Sequence, residues 1–252
     1  MNNQCIVNNK DLTAIADSIR TKTGASEPLL FPNGFSDAIN GIQTGSAIAN
    51  PYVEEIYDQD GKLLRVQLNG QTELRDFLFY NCSELANAEL QEGILTIGDS
   101  VFAKCSKLAI TSLPESITTI GDQAFYNCYE LALTSLPENI TTIGTSAFSC
   151  CAKIVFFSLP NTLTDIGVYA FSKCNGLTTI SFPVSLANIG DNAFYSCAGL
   201  TSVTFEGTPS SISSTAFANC PALTTINVPW SEDAVANAPW GATNATINYN
   251  NV

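Results

Sequence analysis

The chain has 252 residues, 45% of them hydrophobic and 13% charged, which is enough apolar mass for a substantial core and too little charge for disorder by self-repulsion. Its formal net charge is -13, from 23 acidic against 10 basic residues, with no Lys or Arg after Lys173; such a chain repels phosphate backbones and anionic lipid surfaces, so neither nucleic acid nor a membrane is expected as a partner. Histidine is absent, which removes the usual general base, the usual activator of a Ser or Cys nucleophile and the commonest zinc ligand, so no enzyme is expected.

The opening, Met1 to Lys10, is polar and lacks the basic-then-apolar pattern of a secretory leader. No run of 18 apolar residues is present to span a bilayer. The expectation is a chain that stays in the cytoplasm, or reaches a virion, by a route independent of a signal peptide. Residues 1–44 read as a helical hairpin. Leu12, Ile15, Ala16 and Ile19 keep helical spacing after Asp11, with Gly24 as a stop, and Phe35, Ala38, Ile39 and Ile42 do the same after Pro32-Asn33-Gly34.

Residues 45–68 read as a linker, Gly45 to Pro51, followed by a hairpin: Tyr52 to Tyr57 and Lys62 to Leu68 flank the turn Asp58-Gln59-Asp60-Gly61. This hairpin is placed to cap whatever follows.

From residue 69 to 229 the chain repeats with a step of 23 residues. Phe79, Phe102, Phe125, Phe148, Phe171, Phe194 and Phe217 mark it, each followed after three residues by Cys82, Cys105, Cys128, Cys151, Cys174, Cys197 or Cys220. An Ile-Gly pair precedes five of the Phe residues, as at Ile97-Gly98 and Ile189-Gly190, and an apolar residue before Pro closes most units, as at Leu113-Pro114 and Phe182-Pro183. A unit this short cannot bury its own apolar face, so neighbouring units must stack and share one core. Within a unit, Leu177-Thr-Thr-Ile180-Ser-Phe182-Pro183 reads as a strand with inward positions at offsets 0, 3 and 5. Ser185 to Gly190 reads as a second extended segment, with Gly permitting a bend, and Asp191 to Cys197 as a short helix capped by Asp, a cap repeated at Asp99 and Asp122.

These units resemble the BspA-like class of bacterial leucine-rich repeat, with the pattern Ile-Gly-x-x-Ala-Phe-x-x-Cys-x-x-Leu-x-x-Ile-x-Leu-Pro. The resemblance implies a right-handed repeat solenoid of seven units with short β-strands and short helical turns, used for adhesion and protein recognition, and it implies no catalytic residues. The segment Asp11 to Ile39 resembles a small module at the start of phage and prophage appendage proteins. That resemblance implies virion assembly, or homo-oligomer formation, through residues 1–44.

The Phe and Cys columns, with Phe102, Phe125, Phe148, Phe171 and Phe194 beside Cys105, Cys128, Cys151, Cys174 and Cys197, are expected as core ladders. Parallel side-chain vectors disfavour disulfides and a row of thiols does not converge on a metal, so the seven repeat cysteines are expected to be buried free thiols, and neither a metal nor a cofactor is expected. Cys5 and Cys150 stand outside the ladder. Residues 230–252 hold both tryptophans, Trp230 and Trp240, read as a cap in preference to a ligand site.

Candidate binding residues come from one departure in the strand. At offset 2 three successive units carry Ile110, Leu133 and Phe156, and offset 3 carries Thr111, Thr134 and Phe157. Either these coils slip by one residue so that offset 2 faces inward, or an apolar stripe including Phe157 lies exposed as a partner site. Beside it runs a polar ladder, Ser112, Ser135, Ser158, Ser181, Thr204 and Asn227, open to a large ligand. The sequence thus predicts a non-catalytic module that binds a protein or glycan on a cell surface, on a phage or prophage appendage. The alternative is a bacterial cell-surface adhesin, and a carboxylate-dependent glycan hydrolase ranks behind both.

Overall fold

A computed structural model describes residues 53–59, 61–68, 70–155 and 158–249. The expected hairpin of residues 1–44 lies outside them. The described chain winds as a solenoid in which each 23-residue coil contributes one stretch to each of three walls around a continuous core.

The first wall holds the predicted strands. At its start β1 (Val53–Tyr57) and β2 (Leu63–Leu68) form an antiparallel hairpin, and β2 pairs in parallel with β4 (Asn87–Leu90). The turn between β1 and β2 closes as expected: Gly61, at φ 73°, donates to the Asp58 carbonyl at 3.1 Å, and the Asp58 carboxylate accepts the Lys62 N–H at 2.9 Å. At its far end β9 (Thr179–Phe182), β11 (Ser202–Phe205), β13 (Thr225–Val228) and β14 (Thr246–Tyr249) form a parallel sheet. Inward Ile180, Val203 and Ile226 are buried, while Thr179, Ser202 and Thr225 face outward. The wall therefore continues past residue 229 into β14.

The second wall is one seven-stranded parallel sheet of two-residue strands that runs through the repeats: β3 (Glu73–Leu74), β5 (Thr96–Ile97), β6 (Thr119–Ile120), β7 (Thr142–Ile143), β8 (Asp165–Ile166), β10 (Asn188–Ile189) and β12 (Ser211–Ile212). Each Ile points into the core. The glycine after it is needed for a reason other than the bend expected from sequence. None of Gly98, Gly121, Gly144, Gly167 or Gly190 has positive φ. Instead the coils approach so closely here that a Cβ on Gly121 would stand 2.5 Å from the Asp99 carboxylate and 2.8 Å from the Gly98 carbonyl carbon.

The third wall corrects the expected short helices: no helix occurs among the described residues. Overlapping turns replace them, with two left-handed residues at non-glycine positions in six of the seven coils, as at Gln123 (φ 55°) and Asn127 (φ 60°), and one, Asn219, in the last. The left-handed residues break helical continuity, so alternate N–H groups point along the solenoid. Phe125 N–H donates to the Ala147 carbonyl and Phe148 N–H to Ala170, both at 2.8 Å. These bonds run forward to the next coil. Those of the second wall run backward, as Gly144 N–H to the Ile120 carbonyl at 3.0 Å. The aspartates expected as helix caps serve the same stacking. Asp99 accepts the Asp122 N–H at 2.7 Å and Asp122 accepts the Thr145 N–H at 2.6 Å, both from the following coil.

Phe79 to Phe217 form a stack with ring centroids 5.3 to 5.4 Å apart. Beside it each cysteine thiol donates to the Phe carbonyl of the preceding coil, as Cys151 Sγ to Phe125 O at 3.1 Å and Cys174 Sγ to Phe148 O at 3.1 Å. Cys105, Cys128, Cys151, Cys174, Cys197 and Cys220 are buried and free. Cys82 corrects the expectation of seven free thiols, because it is disulfide-bonded. It belongs to the first coil of the repeat. At the other end Trp240 is fully buried, its indole N–H donates to the Ala236 carbonyl at 2.7 Å, and its own carbonyl accepts the Phe217 N–H at 2.9 Å. Trp230 packs 5.2 Å from Phe205. Both tryptophans thus close the last coil.

Candidate recognition surface

Burial decides the fate of the candidate binding residues. Ile110 is 7% exposed and Leu133 is fully buried, whereas Thr111 and Thr134 are exposed. The exposed apolar stripe is therefore corrected at these two positions: the coils have slipped so that offset 2 faces the core. The cost of leaving Ile or Leu in water, about 1.5 to 3 kcal/mol per side chain, is what drives the slip. Phe156 and Phe157 lie outside the described residues.

The slip disrupts the first wall. Between β4 and β9 the three intervening coils add no strand to the first wall among the described residues, and only the bridge Ser158 to Ser181 joins them to the far sheet. Two hydrogen bonds there run one residue out of step, beside a long in-step bond from Thr134 N–H to the Thr111 carbonyl at 3.4 Å. Ala132 N–H reaches the Ile110 carbonyl at 3.2 Å and Val155 N–H reaches Leu133, also at 3.2 Å, whereas in the regular coils Thr201 N–H reaches Thr178 at 2.8 Å.

The polar ladder does share one wall. Ser112, Ser135 and Ser158 are exposed on the slipped coils; Ser181, Thr204 and Asn227 are half-buried on the regular sheet. On that sheet the side chains hold one another: Ser181 donates to Glu206 at 2.8 Å, Asn227 to Thr204 at 3.3 Å and Asn248 to Asn227 at 2.8 Å. Thr201 and Thr224 donate their hydroxyls to the carbonyls of Thr178 and Thr201. The result is a hydroxyl and amide surface with the Glu206 carboxylate at its edge, backed by the core.

Carboxylates follow the same logic of stacking. Glu92 accepts the N–H groups of Glu115 and Ser116 at 2.9 and 3.0 Å, and the Glu115 N–H foremost holds its carboxyl below the usual range. Asp165 is likewise lowered, first by the Thr164 hydroxyl and then by the Asn188 amide. Acids held this way lack the raised proton affinity of a catalytic acid. Burial pushes four of the ladder thiols the other way, Cys105 to about 12, and Cys128, Cys151 and Cys174 also well up, whereas Cys220 at the end of the ladder is lowered by its hydrogen bond with Cys197. The four raised thiols are inert core groups rather than nucleophiles.

Residues 57–175 and 141–238 match the family described as BspA type Leucine rich repeat region, in 6 copies. The chain belongs to this family. Among solved structures, the BspA-type solenoid seen here is similar to a leucine rich repeat protein of T. pallidum, TpLRR, at 26% identity and a TM-score of 0.56, over 69% of this chain and 89% of that one. A leucine-rich repeat protein from Bacteroides ovatus matches at 25% identity and a TM-score of 0.41, over 66% of this chain and 55% of that one. No curated protein matches.

Sequence reading missed the turn wall. Phe77, Tyr80, Tyr129 and Tyr169 are exposed there, at 60%, 40%, 48% and 40%, in columns two before and one after the repeat Phe and one after the repeat Cys. The signal was present as aromatic residues recurring at these otherwise small or polar columns. It was hidden because the stretch was read as helix, which assigns faces with a different period.

Proposed function

We propose that this BspA-type chain is a non-catalytic recognition module that contacts a protein or glycan on a cell surface through the polar first wall. Its setting is a phage or prophage appendage to which residues 1–44 attach it. The observation that supports contact at this wall is the hydroxyl and amide array from Thr204 through Asn227 to Asn248, pinned by mutual hydrogen bonds, with Ser181 beside it held by Glu206. A surface whose side chains are already held loses little entropy on binding. The resemblance of Asp11 to Ile39 to an appendage module supports the setting.

Adherence of the full chain to intact cells of the producing strain and its relatives, read by flow cytometry, tests the first part. Saturable adherence that falls at least about tenfold in Ser181→Arg with Thr204→Arg, with the melting temperature kept, is the expected result. Adherence indifferent to these variants, or none to any cell type, overturns it. Labelling with specific antibody tests the setting: particles from induced cultures carry the label on this reading, and label confined to cell envelopes assigns the chain to a cell-surface adhesin.

A further inference from the structure

The turn wall divides its charge from edge to edge. One edge carries the exposed carboxylates Asp76, Asp99, Asp122 and Asp191, three residues before the repeat Phe. The opposite edge carries Lys104 and Lys173, each just before the repeat Cys, with Lys107 and Lys153 beyond them paired to Glu84 and Glu130. Every lysine after Lys62 stands at this edge. Between the edges lie the side chains of Phe77, Tyr80, Tyr169 and Tyr195, and six of the eleven exposed large apolar residues of the described chain belong to this wall. Tyr169 and Tyr195 meet edge to face at 6.3 Å, and Lys104 caps the ring of Tyr80 and donates to its hydroxyl at 2.8 Å.

A surface with acid along one side, base along the other and aromatic rings between is complementary to itself. We infer that the turn wall is the interface of a parallel, two-fold dimer of this chain. The symmetry follows from the charge. A two-fold axis parallel to the solenoid lays the lysine edge of each copy over the aspartate edge of the other, whereas an axis across the solenoid sets aspartate on aspartate. In the parallel arrangement Lys104 faces Asp99 of the partner subunit, and Lys173 reaches Asp191 of the partner subunit one coil along. Tyrosines then meet at the centre, where aromatic residues are enriched in protein interfaces and charged ones depleted. The first wall of both copies stays free, and the two-fold axis turns the two walls to opposite sides, so the dimer presents one recognition wall on each side.

Seven coils at about 4.8 Å make a strip roughly 30 Å long, which sits at the low end of interface sizes, so the dimer is reversible with a Kd on the order of 10 μM. Sedimentation equilibrium of the full chain from about 1 to 200 μM spans that range. The expected result is a monomer–dimer equilibrium weakened by roughly 30-fold or more in Lys104→Glu with Lys173→Glu, at an unchanged melting temperature. Asp99→Lys with Asp191→Lys weakens the dimer as much, at a lower melting temperature because Asp99 no longer accepts the Asp122 N–H, and mixing the two folded variant proteins restores a heterodimer, because every like-charge pair of the variants becomes an opposite one. A wild-type chain that stays monomeric throughout overturns the inference. So does a dimer indifferent to both charge variants, a failure of folded variants to form the heterodimer, or a dimer that disappears when residues 1–44 are removed yet ignores the charge changes; the last result gives assembly to the N-terminal segment. Cell adherence of monomeric variants is read separately, so loss of the dimer leaves the recognition reading standing.

Discussion

The Phe and Cys columns and the slipped coils of the first wall are built from the same 23-residue unit, yet one is regular from end to end and the other is broken in the middle. In the columns the same side chains meet in every coil, at ring spacings that vary by 0.1 Å, and the backbone donates forward at every step. In the slipped coils an apolar residue has moved by one position, and the chain keeps it buried at the expense of strand pairing. Burial therefore outranks ladder hydrogen bonds where the two conflict. The order of magnitudes agrees, since a buried Leu or Ile is worth about 1.5 to 3 kcal/mol and a net backbone hydrogen bond about 1.

The largest test of the regular columns is alkaline pH. Unfolded thiols ionise near 9, whereas burial holds Cys105 protonated to about 12 and raises Cys128, Cys151 and Cys174 as well. The folded state thus binds more protons than the unfolded state in this window. Stability from these groups is complete below about pH 9 and declines as pH rises toward 12, by about 1.4 kcal/mol per thiol per pH unit. Urea unfolding at pH 8, 9 and 10 is expected to show a falling midpoint, and Cys128→Ala with Cys151→Ala and Cys174→Ala is expected to flatten the slope. An equal slope in the variant places the alkaline loss elsewhere and separates the thiol column from the stability of the regular region.

The contrast also governs what could be read from sequence. Phe102 and Cys105 recur without exception and Leu108 with the single replacement Ile154, and their burial follows from periodicity alone because every neighbour is another copy of the same unit. The strand Leu177 to Phe182 and the segment ending at Ile189 were legible for the same reason. Conformation at the turn was not: helix and overlapping turns bury the same Ala, Phe and Cys, and only the left-handed residues at Gln123 and Asn127 distinguish them. No side chain there requires positive φ, so composition is silent. For the candidate site, offset 2 against offset 3 was visible as a conflict in the letters. Its resolution depended on the backbone yielding, which is a property of three stacked coils and not of one segment.

A second test compares the two regions directly. Phe148 is stacked on both faces, at 5.4 Å from Phe125 and 5.3 Å from Phe171, in coils tied above and below by backbone bonds. Little can collapse into the gap, so Phe148→Ala is expected to cost about 4 kcal/mol. Leu133 is as fully buried. Its wall is irregular and relaxes more readily, and Leu133→Ala is expected to cost about 2 to 3 kcal/mol. Chemical denaturation of both variants gives the comparison. Equal losses, or a larger one at Leu133, contradict the view that the slipped coils are the more yielding region.

The smallest effect asks whether the slip belongs to the coil or to its neighbours. Leu133→Thr with Thr134→Ile moves the apolar side chain to offset 3 and gives this coil the pattern of Leu177 to Phe182. The apolar volume is nearly kept, so a coil free to choose its register adopts the regular one, and stability changes by less than about 1 kcal/mol. Amide exchange at residues 132 to 135 then slows as strand pairing forms. The coils on either side resist, however, because Ala132 N–H is already paired to the Ile110 carbonyl in the slipped step. If the neighbours dictate register, the introduced isoleucine side chain is held facing solvent, the core loses a side chain, and the variant falls by about as much as Leu133→Ala. Adding Ile110→Thr with Thr111→Ile separates the two cases: recovery of stability in the four-site variant shows that register propagates from coil to coil, and further loss shows that the slipped backbone is fixed by contacts other than the residue at offset 2.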